Sequence, residues 1–112
     1  MDELDATLAA LADPTRRQVI DVLRDGPRRA GELAATAQTS APVMSRHLRV
    51  LRASGLVEAG GDLEDARLRV YRLRPEPFVA LQAWLDQVEA FWGEQLGAFQ
   101  KHVERTRKAK RS

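Results

Sequence analysis

The chain has 112 residues, no cysteine and a formal net charge of +2, a size typical of one domain with a modest core. Without cysteine it has no disulfide, no thiolate metal ligand and no cysteine nucleophile, which fits a cytoplasmic protein. No apolar run reaches the roughly 20 residues that cross a bilayer, and the acidic start MDELDATLAAL is unlike a signal peptide. We therefore expect a single domain, residues 1–112, that does not contact a membrane.

The charges are distributed unevenly along the chain. Residues 1–13 and 75–100 each carry four acidic residues and no Lys or Arg, residues 14–74 carry twelve Arg against seven acids, and residues 101–112 carry six Lys or Arg against one Glu. A basic middle between acidic segments indicates that the middle faces phosphate while the flanks face something else. Charge alone would be explained equally well by a solvated helical surface.

Four helices are predicted in the first half of the chain from apolar spacing and capping signals. They cover about residues 2–11, 14–24, 30–37 and 41–54. Asp13 and Ser40 supply capping oxygens for the second and fourth helices, and Pro14 and Pro42 suit their first turns. The third helix has a poor predicted cap, because the residues before it offer no capping oxygen. Gly55 ends the fourth helix.

A two-stranded ribbon, residues 56–73, follows as strands 56–59 and 68–73. The segment 75–105 then forms a long helix that starts near Phe78, and residues 106–112 are predicted to be a frayed basic tail. The helix carries one continuous apolar stripe. Its members are Leu81, Trp84, Leu85, Val88, Phe91, Trp92, Leu96, Phe99 and Val103. The predicted fold class is therefore mostly α with a small two-stranded β wing, a winged helix-turn-helix.

The helix at 41–54 has the features of a recognition helix for the DNA major groove. At about 100° per residue, Met44, His47, Leu48 and Leu51 share a core face, while Pro42, Arg46 and Arg49 lie opposite with Ser45 on the flank. Arg46 is the candidate base contact, because a guanidinium can bond guanine O6 and N7 together. The alternative is an ordinary solvated arginine face. The predicted DNA-binding residues are Ser40, Ala41, Pro42, Ser45, Arg46, Arg49, Arg52, Arg67 and Arg69.

The wing carries charges of both signs. Arg67, Arg69 and Arg72 are placed to reach phosphates, whereas Asp62, Glu64 and Asp65 at the tip would repel them. Either the tip points away from DNA or the wing adds little affinity, and a solvated hairpin turn explains the tip equally well.

No catalytic or metal-binding constellation is present in the sequence. His47 lies on the predicted core face without a second His, Cys or carboxylate at ligand spacing, so a packed histidine is favoured over a ligand. The chain has no nucleophile–base pair, no glycine-rich phosphate loop and no paired acids in a plausible pocket, so we do not expect an enzyme.

The segments LADPTRRQVIDVL, GELA, SRHLRVLRASGLV and VYRL, in this order, resemble the ArsR/SmtB-type winged-helix transcriptional repressors over about residues 8–74. The FW-containing C-terminal helix is similar to one branch of that family. The resemblance implies a homodimer that binds a palindromic operator and represses its own or a neighbouring operon. It also implies DNA contacts at Ala41, Pro42, Ser45 and Arg46, and a dimer interface formed by the helices of segments 1–13 and 75–105. The predicted interface residues are Leu4, Leu8, Leu81, Trp84, Leu85, Val88, Phe91, Trp92, Leu96 and Phe99.

The chain departs from the metal sensors of that family. Those sensors use cysteines in the third helix, or Asp and His ligands in the C-terminal helix, where this chain has one histidine, His102, and no Asp-x-His pair. The resemblance is therefore to a metal-independent branch, and no metal or cofactor is expected. A small apolar effector near Phe91 and Trp92 is one way to release DNA, although these rings are more simply explained as dimer core.

Two other functions remain open at this point. A sequence-neutral architectural DNA-binding protein would also be basic, and would show a steep salt dependence with little preference between DNA sequences. A protein-interaction module built on the winged helix and the aromatic stripe would tolerate loss of Arg46.

Overall fold

The computed structural model describes residues 2–61 and 64–111, and their side chains except those at positions 66, 94, 96, 98 and 108–111. The elements in chain order are α1 (Glu3–Leu11), α2 (Pro14–Leu23), β1 (Arg28–Arg29), α3 (Ala30–Ala37), α4 (Ala41–Ala53), β2 (Val57–Gly61), a 3-10 turn (Ala66–Leu68), β3 (Arg69–Leu73) and α5 (Pro75–Arg111). They form two compact units, Met1–Ala80 and Leu81–Ser112, the second of which contains α5 from Leu81 onward.

The helices begin where local chemistry satisfies their first backbone N–H groups. Asp13 Oδ1 accepts from the Arg16 N–H at 3.0 Å, and Ser40 Oγ accepts from the Val43 N–H at 3.3 Å, so both predicted caps are confirmed. At the predicted weak start of α3, the Glu32 carboxylate accepts from the Arg29 N–H at 3.1 Å. This reciprocal bond compensates in part for the missing capping oxygen.

The three strands form one antiparallel sheet in the order β1-β3-β2. β2 and β3 make the predicted wing hairpin, with register from Val57↔Leu73 to Gly61↔Arg69. The prediction of only two strands is wrong, because β1 pairs with the other edge of β3. A strand of two residues is too short to show the alternating pattern by which strands are recognised. β2 also extends to Gly61, where the sequence predicted the start of the connecting loop.

The core lies within the first unit and draws on α1, α2, α3, α4, β2 and β3, together with Leu56 between α4 and β2. The buried apolar residues are Ala10, Val19, Ile20, Leu23, Leu33, Ala34, Met44, Leu48, Leu51, Leu56, Val57 and Tyr71. Met44, Leu48 and Leu51 are at most 1% exposed, which confirms the predicted core face of α4. Because this face is buried, the opposite face of α4 is directed outward.

The last helix is longer than predicted at both ends. α5 begins at Pro75 rather than near Phe78, because proline is well accommodated in the first turn of a helix. It continues to Arg111, so the prediction of a frayed tail is wrong for residues 106–111. The segment after Glu104 contains no Gly or Pro, and its Lys and Arg residues are favourable near a helix C-terminus.

Candidate nucleic-acid interface

Helices α3 and α4 pack against each other and are joined by a short turn. Gln38 has a left-handed backbone with φ 54°, and it reverses the chain between the two helices. Ser40 then caps α4, whose first turn is left open on its outer side. The geometry is a helix-turn-helix in which the N-terminal half of the second helix presents backbone N–H groups and short side chains to solvent.

The outward face of α4 contains seven of the predicted DNA-binding residues, and the structure brings them together. All seven are exposed: Ser40, Ala41, Pro42, Ser45, Arg46, Arg49 and Arg52. Among the residues that the structure describes, none forms an ion pair with Arg46, Arg49 or Arg52. These guanidinium groups therefore keep their charge available for an anionic surface of complementary shape.

The wing offers less positive charge than its arginines suggest. The Arg67 guanidinium donates to both carboxylate oxygens of Asp65, at 3.2 Å from Nε and 3.1 Å from Nη2. These hydrogen bonds from Arg67 lower the pKa of the Asp65 carboxyl below its ordinary value, so the pair stays ionised and has no net charge. Arg69 is half-buried, and Glu64 is exposed. Asp62, part of the predicted acidic tip, lies outside the described residues.

His47 occupies the edge of the core face of α4 and is half-buried. Its Nδ1 lies 3.4 Å from Nη1 of Arg16. Arg16 belongs to α2, and it also donates from Nε to the Ala10 carbonyl at 2.7 Å and from Nη2 to the Ala9 carbonyl at 3.3 Å. Sequence reasoning identified His47 as packed but missed Arg16, because the two residues are 31 positions apart. The available signal was an arginine two residues after the Asp13-Pro14 helix start.

Asp13 adds a negative charge beside this pair. The backbone hydrogen bond from Arg16 is the largest influence on the Asp13 carboxyl, and nearby His47 and Arg16 act in the same direction. Together they hold the pKa of Asp13 below its ordinary value of 3.8, against a smaller effect of burial. The start of α2 therefore carries a carboxylate that remains ionised at neutral pH.

The predicted interface residues leave a large apolar surface in contact with solvent. The exposed fractions are 40% for Leu8, 38% for Trp84, 44% for Leu85, 67% for Phe91, 47% for Trp92 and 65% for Phe99. Leu4, Leu81 and Val88 are half-buried, and the side chain of Leu96 lies outside the described ones. Phe91 and Trp92 meet edge to face with ring centroids 5.0 Å apart. An apolar stripe of this kind is typical of an interface with another protein surface.

A cavity of about 390 Å³ lies in the first unit between α1, the end of α4 and the start of α5. Its lining includes Asp2, Glu3, Arg74 and Glu76, charged residues that do not suit an apolar ligand. Within the described part of the chain, no three His, Asp or Glu side chains are grouped as metal ligands would be. None of its helices combines the length and the apolarity needed to span a membrane.

The capped two-helix unit with its hairpin defines a winged helix-turn-helix protein. A sequence profile described as "Helix-turn-helix domain" matches residues 11–59. The HTH-type transcriptional regulator Rv2034 of Mycobacterium tuberculosis is 37% identical over 100 residues, which are 89% of this chain and 88% of that protein. The crystal structure of an ArsR family transcriptional regulator, RHA00566, has a TM-score of 0.74 and 34% identity, and covers 82% of this chain and 98% of its own.

The homodimeric winged helix-turn-helix DNA-binding domain of Mb0332 from Mycobacterium bovis, solved by NMR, has a TM-score of 0.62 at 28% identity. The match covers 82% of this chain and 84% of the Mb0332 chain. The chain belongs to the ArsR family of helix-turn-helix transcriptional regulators. The predicted family and fold class are thereby confirmed, with the third strand as the one addition to the sheet.

Proposed function

We propose that this regulator acts as a homodimer that binds a palindromic operator and represses its own or a neighbouring operon. The observation that carries the proposal is the outward face of α4, where exposed Ser45, Arg46 and Arg49 follow a capped helix N-terminus. A helix of this kind fits the major groove with its N-terminal residues toward the base edges. The proposal is supported by a relative named a transcriptional repressor, SdpR of Bacillus subtilis, which is 38% identical over 48 residues.

Within that complex, the residues of α4 have different roles. Arg46 and Ser45 contact base edges and supply sequence preference, whereas Arg49 and Arg52 lie further along the helix and contact phosphates. Ala41 and Pro42 pack against the groove with little polar readout. Arg67 and Arg69 of the wing add little affinity. The charge of Arg67 is already neutralised by Asp65, and Arg69 is half-buried.

The second copy of the chain covers the exposed apolar residues of α1 and α5. Burying rings such as Phe91 and Trp92 removes from water an apolar surface that a lone chain leaves exposed, and this burial stabilises the dimer. Two-fold symmetry would place two recognition helices on DNA half-sites about one helical turn, roughly 10 base pairs, apart. The Mb0332 domain, described as homodimeric, supports this assembly.

A small apolar molecule that binds beside Phe91 and Trp92 would compete with dimer packing and so weaken DNA binding. The simpler assignment, which we favour, is that both rings belong to the dimer core. The two are distinguished by whether a neutral apolar dye such as Nile red lowers operator affinity while the protein remains dimeric.

The DNA-binding assignment is tested by fluorescence anisotropy with DNA from upstream of the protein's own gene and with scrambled DNA, at physiological salt. Arg46→Ala should weaken binding to the native DNA by about 1–3 kcal/mol and reduce the preference over scrambled DNA. Arg24→Ala is the control, since Arg24 lies just after α2 and outside α4, with a side chain that is 71% exposed and 3.7 Å from the Asp21 carboxylate. Equal losses on both DNAs, or equal effects of both variants, would contradict the assignment of Arg46 to a base contact.

The dimer is tested by sedimentation equilibrium of the full chain. Trp92→Glu places a charge in the proposed interface and should shift the protein toward monomer. Ala90→Glu is the control, because it adds the same charge to the same helix at an exposed position on the face opposite the apolar stripe. A monomeric native protein, or an equal effect of both substitutions, would contradict the proposed interface.

If the protein is instead an architectural DNA-binding protein, native and scrambled DNA will bind equally well, with a steep salt dependence. If it is a protein-interaction module, neither DNA will bind and Arg46→Ala will have no effect on its partner.

A further inference from the structure

We propose that Arg16 is a positioning residue that holds the recognition helix α4 against the C-terminal end of α1 through His47. Arg16 touches neither DNA nor the partner chain in this proposal, and acts through the two helices that it joins. The effect of Arg16 on operator binding rests on the proposed function. The effect of Arg16 on the position of α4 rests on its hydrogen bonds alone.

The first half of the link is at the end of α1. The last carbonyl groups of a helix have no intrahelical partner and carry partial negative charge. Arg16 donates to two carbonyl groups at this end, from Nε to Ala10 at 2.7 Å and from Nη2 to Ala9 at 3.3 Å, and Ala9 also accepts from the Ala12 N–H at 3.3 Å. A planar guanidinium presents several N–H donors in a fixed arrangement, so these two bonds orient the whole group.

The second half of the link is on α4. With Nε and Nη2 occupied by α1, Nη1 is directed at His47 Nδ1, 3.4 Å away. Arg16 can only donate, so in the neutral ring His47 Nδ1 is the acceptor and the ring proton resides on Nε2. His47 directly follows Arg46 in the sequence. A displacement of His47 therefore moves the adjacent proposed base contact with it.

The chain contains a matched control in the next residue. Arg17 also donates to the end of α1, to the Leu11 carbonyl at 2.8 Å, but it is exposed and its hydrogen bond reaches only α1. Loss of Arg17 removes a hydrogen bond to the end of α1 without touching α4. A role limited to helix capping would therefore make the two arginines equivalent, whereas a positioning role would separate them.

The link also gives α1 a route to the DNA-binding face. α1 carries Leu8, one of the proposed dimer contacts, and ends at the carbonyl groups that Arg16 binds. A change in dimer packing that shifts the end of α1 would shift the guanidinium and hence His47. The orientation of Arg46 would then depend on the state of the dimer.

The first test needs no DNA. The chain has two histidines, so the His102→Gln background leaves His47 as the only imidazole in a ¹⁵N NMR spectrum. We expect the Nε2–H tautomer in this background and in Arg17→Met, and a loss of that single tautomer in Arg16→Met. Amide hydrogen exchange in α4 should accelerate in Arg16→Met but not in Arg17→Met. If Arg16→Met and Arg17→Met have the same His47 ring signals and the same amide hydrogen exchange in α4, the proposal is wrong.

The second test measures operator binding by the full-length variants. Arg16→Met and His47→Leu should each weaken binding to the upstream DNA by about tenfold, and the double variant should be little weaker than either one, because both remove the same link. Arg17→Met should remain within about twofold of the native protein. Arg16→Lys keeps the charge but not the forked geometry, and it should behave like Arg16→Met. If the loss of affinity in the double variant equals the product of the two single losses, Arg16 and His47 act independently and the proposal is wrong.

The two failures can be distinguished. If the native protein binds upstream and scrambled DNA equally, the proposed function fails, while the tautomer and the hydrogen exchange of α4 still decide the role of Arg16. If operator binding is specific but Arg16→Met and Arg17→Met weaken it equally, the positioning role fails and the proposed function stands.

Discussion

Replacement of Leu48 by alanine tests the orientation of the recognition helix, on which the assignment of Arg46 depends. Leu48 is 1% exposed and belongs to the core. The change removes its buried apolar surface and leaves a cavity, because the neighbouring elements close only part of the space. Losses of this kind lower the free energy of unfolding by about 2–5 kcal/mol. We expect a value within that range, a large share of the stability of a small domain.

Val50→Ala is the matched control, because Val50 lies two residues further along the same helix on its outward side and is 40% exposed. This change should alter the free energy of unfolding by less than about 0.5 kcal/mol. The assay is urea unfolding followed by circular dichroism at 222 nm, with all proteins at one concentration because a dimer's stability depends on it. Similar losses for both variants, or a larger loss for Val50→Ala, would refute the orientation of α4.

Three further predictions concern the wing and the start of α2. Gly61→Ala should lower the free energy of unfolding by about 1 kcal/mol, because Gly61 has φ +75° and a Cβ there would lie 3.0 Å from a backbone carbonyl oxygen. Asp13→Ala should cost about 1 kcal/mol in the same urea assay, because it removes the cap on the Arg16 N–H. Since the pKa of Asp13 is lowered from 3.8, this contribution should be present above that pH and disappear as the pH falls through the lower folded pKa. Asp65→Asn should release Arg67 from its ion pair and raise affinity for DNA about threefold in low salt by anisotropy, with a steeper salt dependence.

Each of these predictions has a control. Gly60→Ala should be tolerated better than the change at Gly61, because a Cβ there would meet the end of the Arg72 side chain at 3.4 Å. Asp21→Asn removes an exposed carboxylate of α2 that caps no helix, and it should leave the acid dependence unchanged. Glu64→Gln removes the same charge from the wing but leaves the Asp65–Arg67 pair intact. In each case, equal effects of variant and control would contradict the stated cause.

The parts of the fold that depend on local signals were predictable from the sequence. The starts of α2 and α4 are marked by Asp13-Pro14 and by Ser40. The side-chain oxygen of Asp13 or Ser40 accepts the backbone N–H of the residue three positions later. α3 was predicted with its observed bounds, Ala30–Ala37. The core face of α4 followed from helical spacing, since Met44, Leu48 and Leu51 return to the same side of the helix.

The features that were missed depend on residues distant in sequence. β1 exists because Arg28 and Arg29 lie beside the free edge of β3, and two residues carry no periodic pattern of their own. The contact between Arg16 and His47 joins two helices through a third, and no spacing rule in the sequence connects them. The continuation of α5 past Arg105 was missed because its basic composition was interpreted as that of a tail.

In the proposed complex, a two-fold dimer recognises a specific DNA sequence through α4. The most direct measurement is selection of bound duplexes from a random DNA pool by the native protein, followed by sequencing. We expect an inverted repeat whose half-sites are centred about 10 base pairs apart, with a guanine in each half-site that is no longer preferred when the Arg46→Ala variant is used for the selection. Enrichment of no sequence, or of a single unrepeated site, would contradict it.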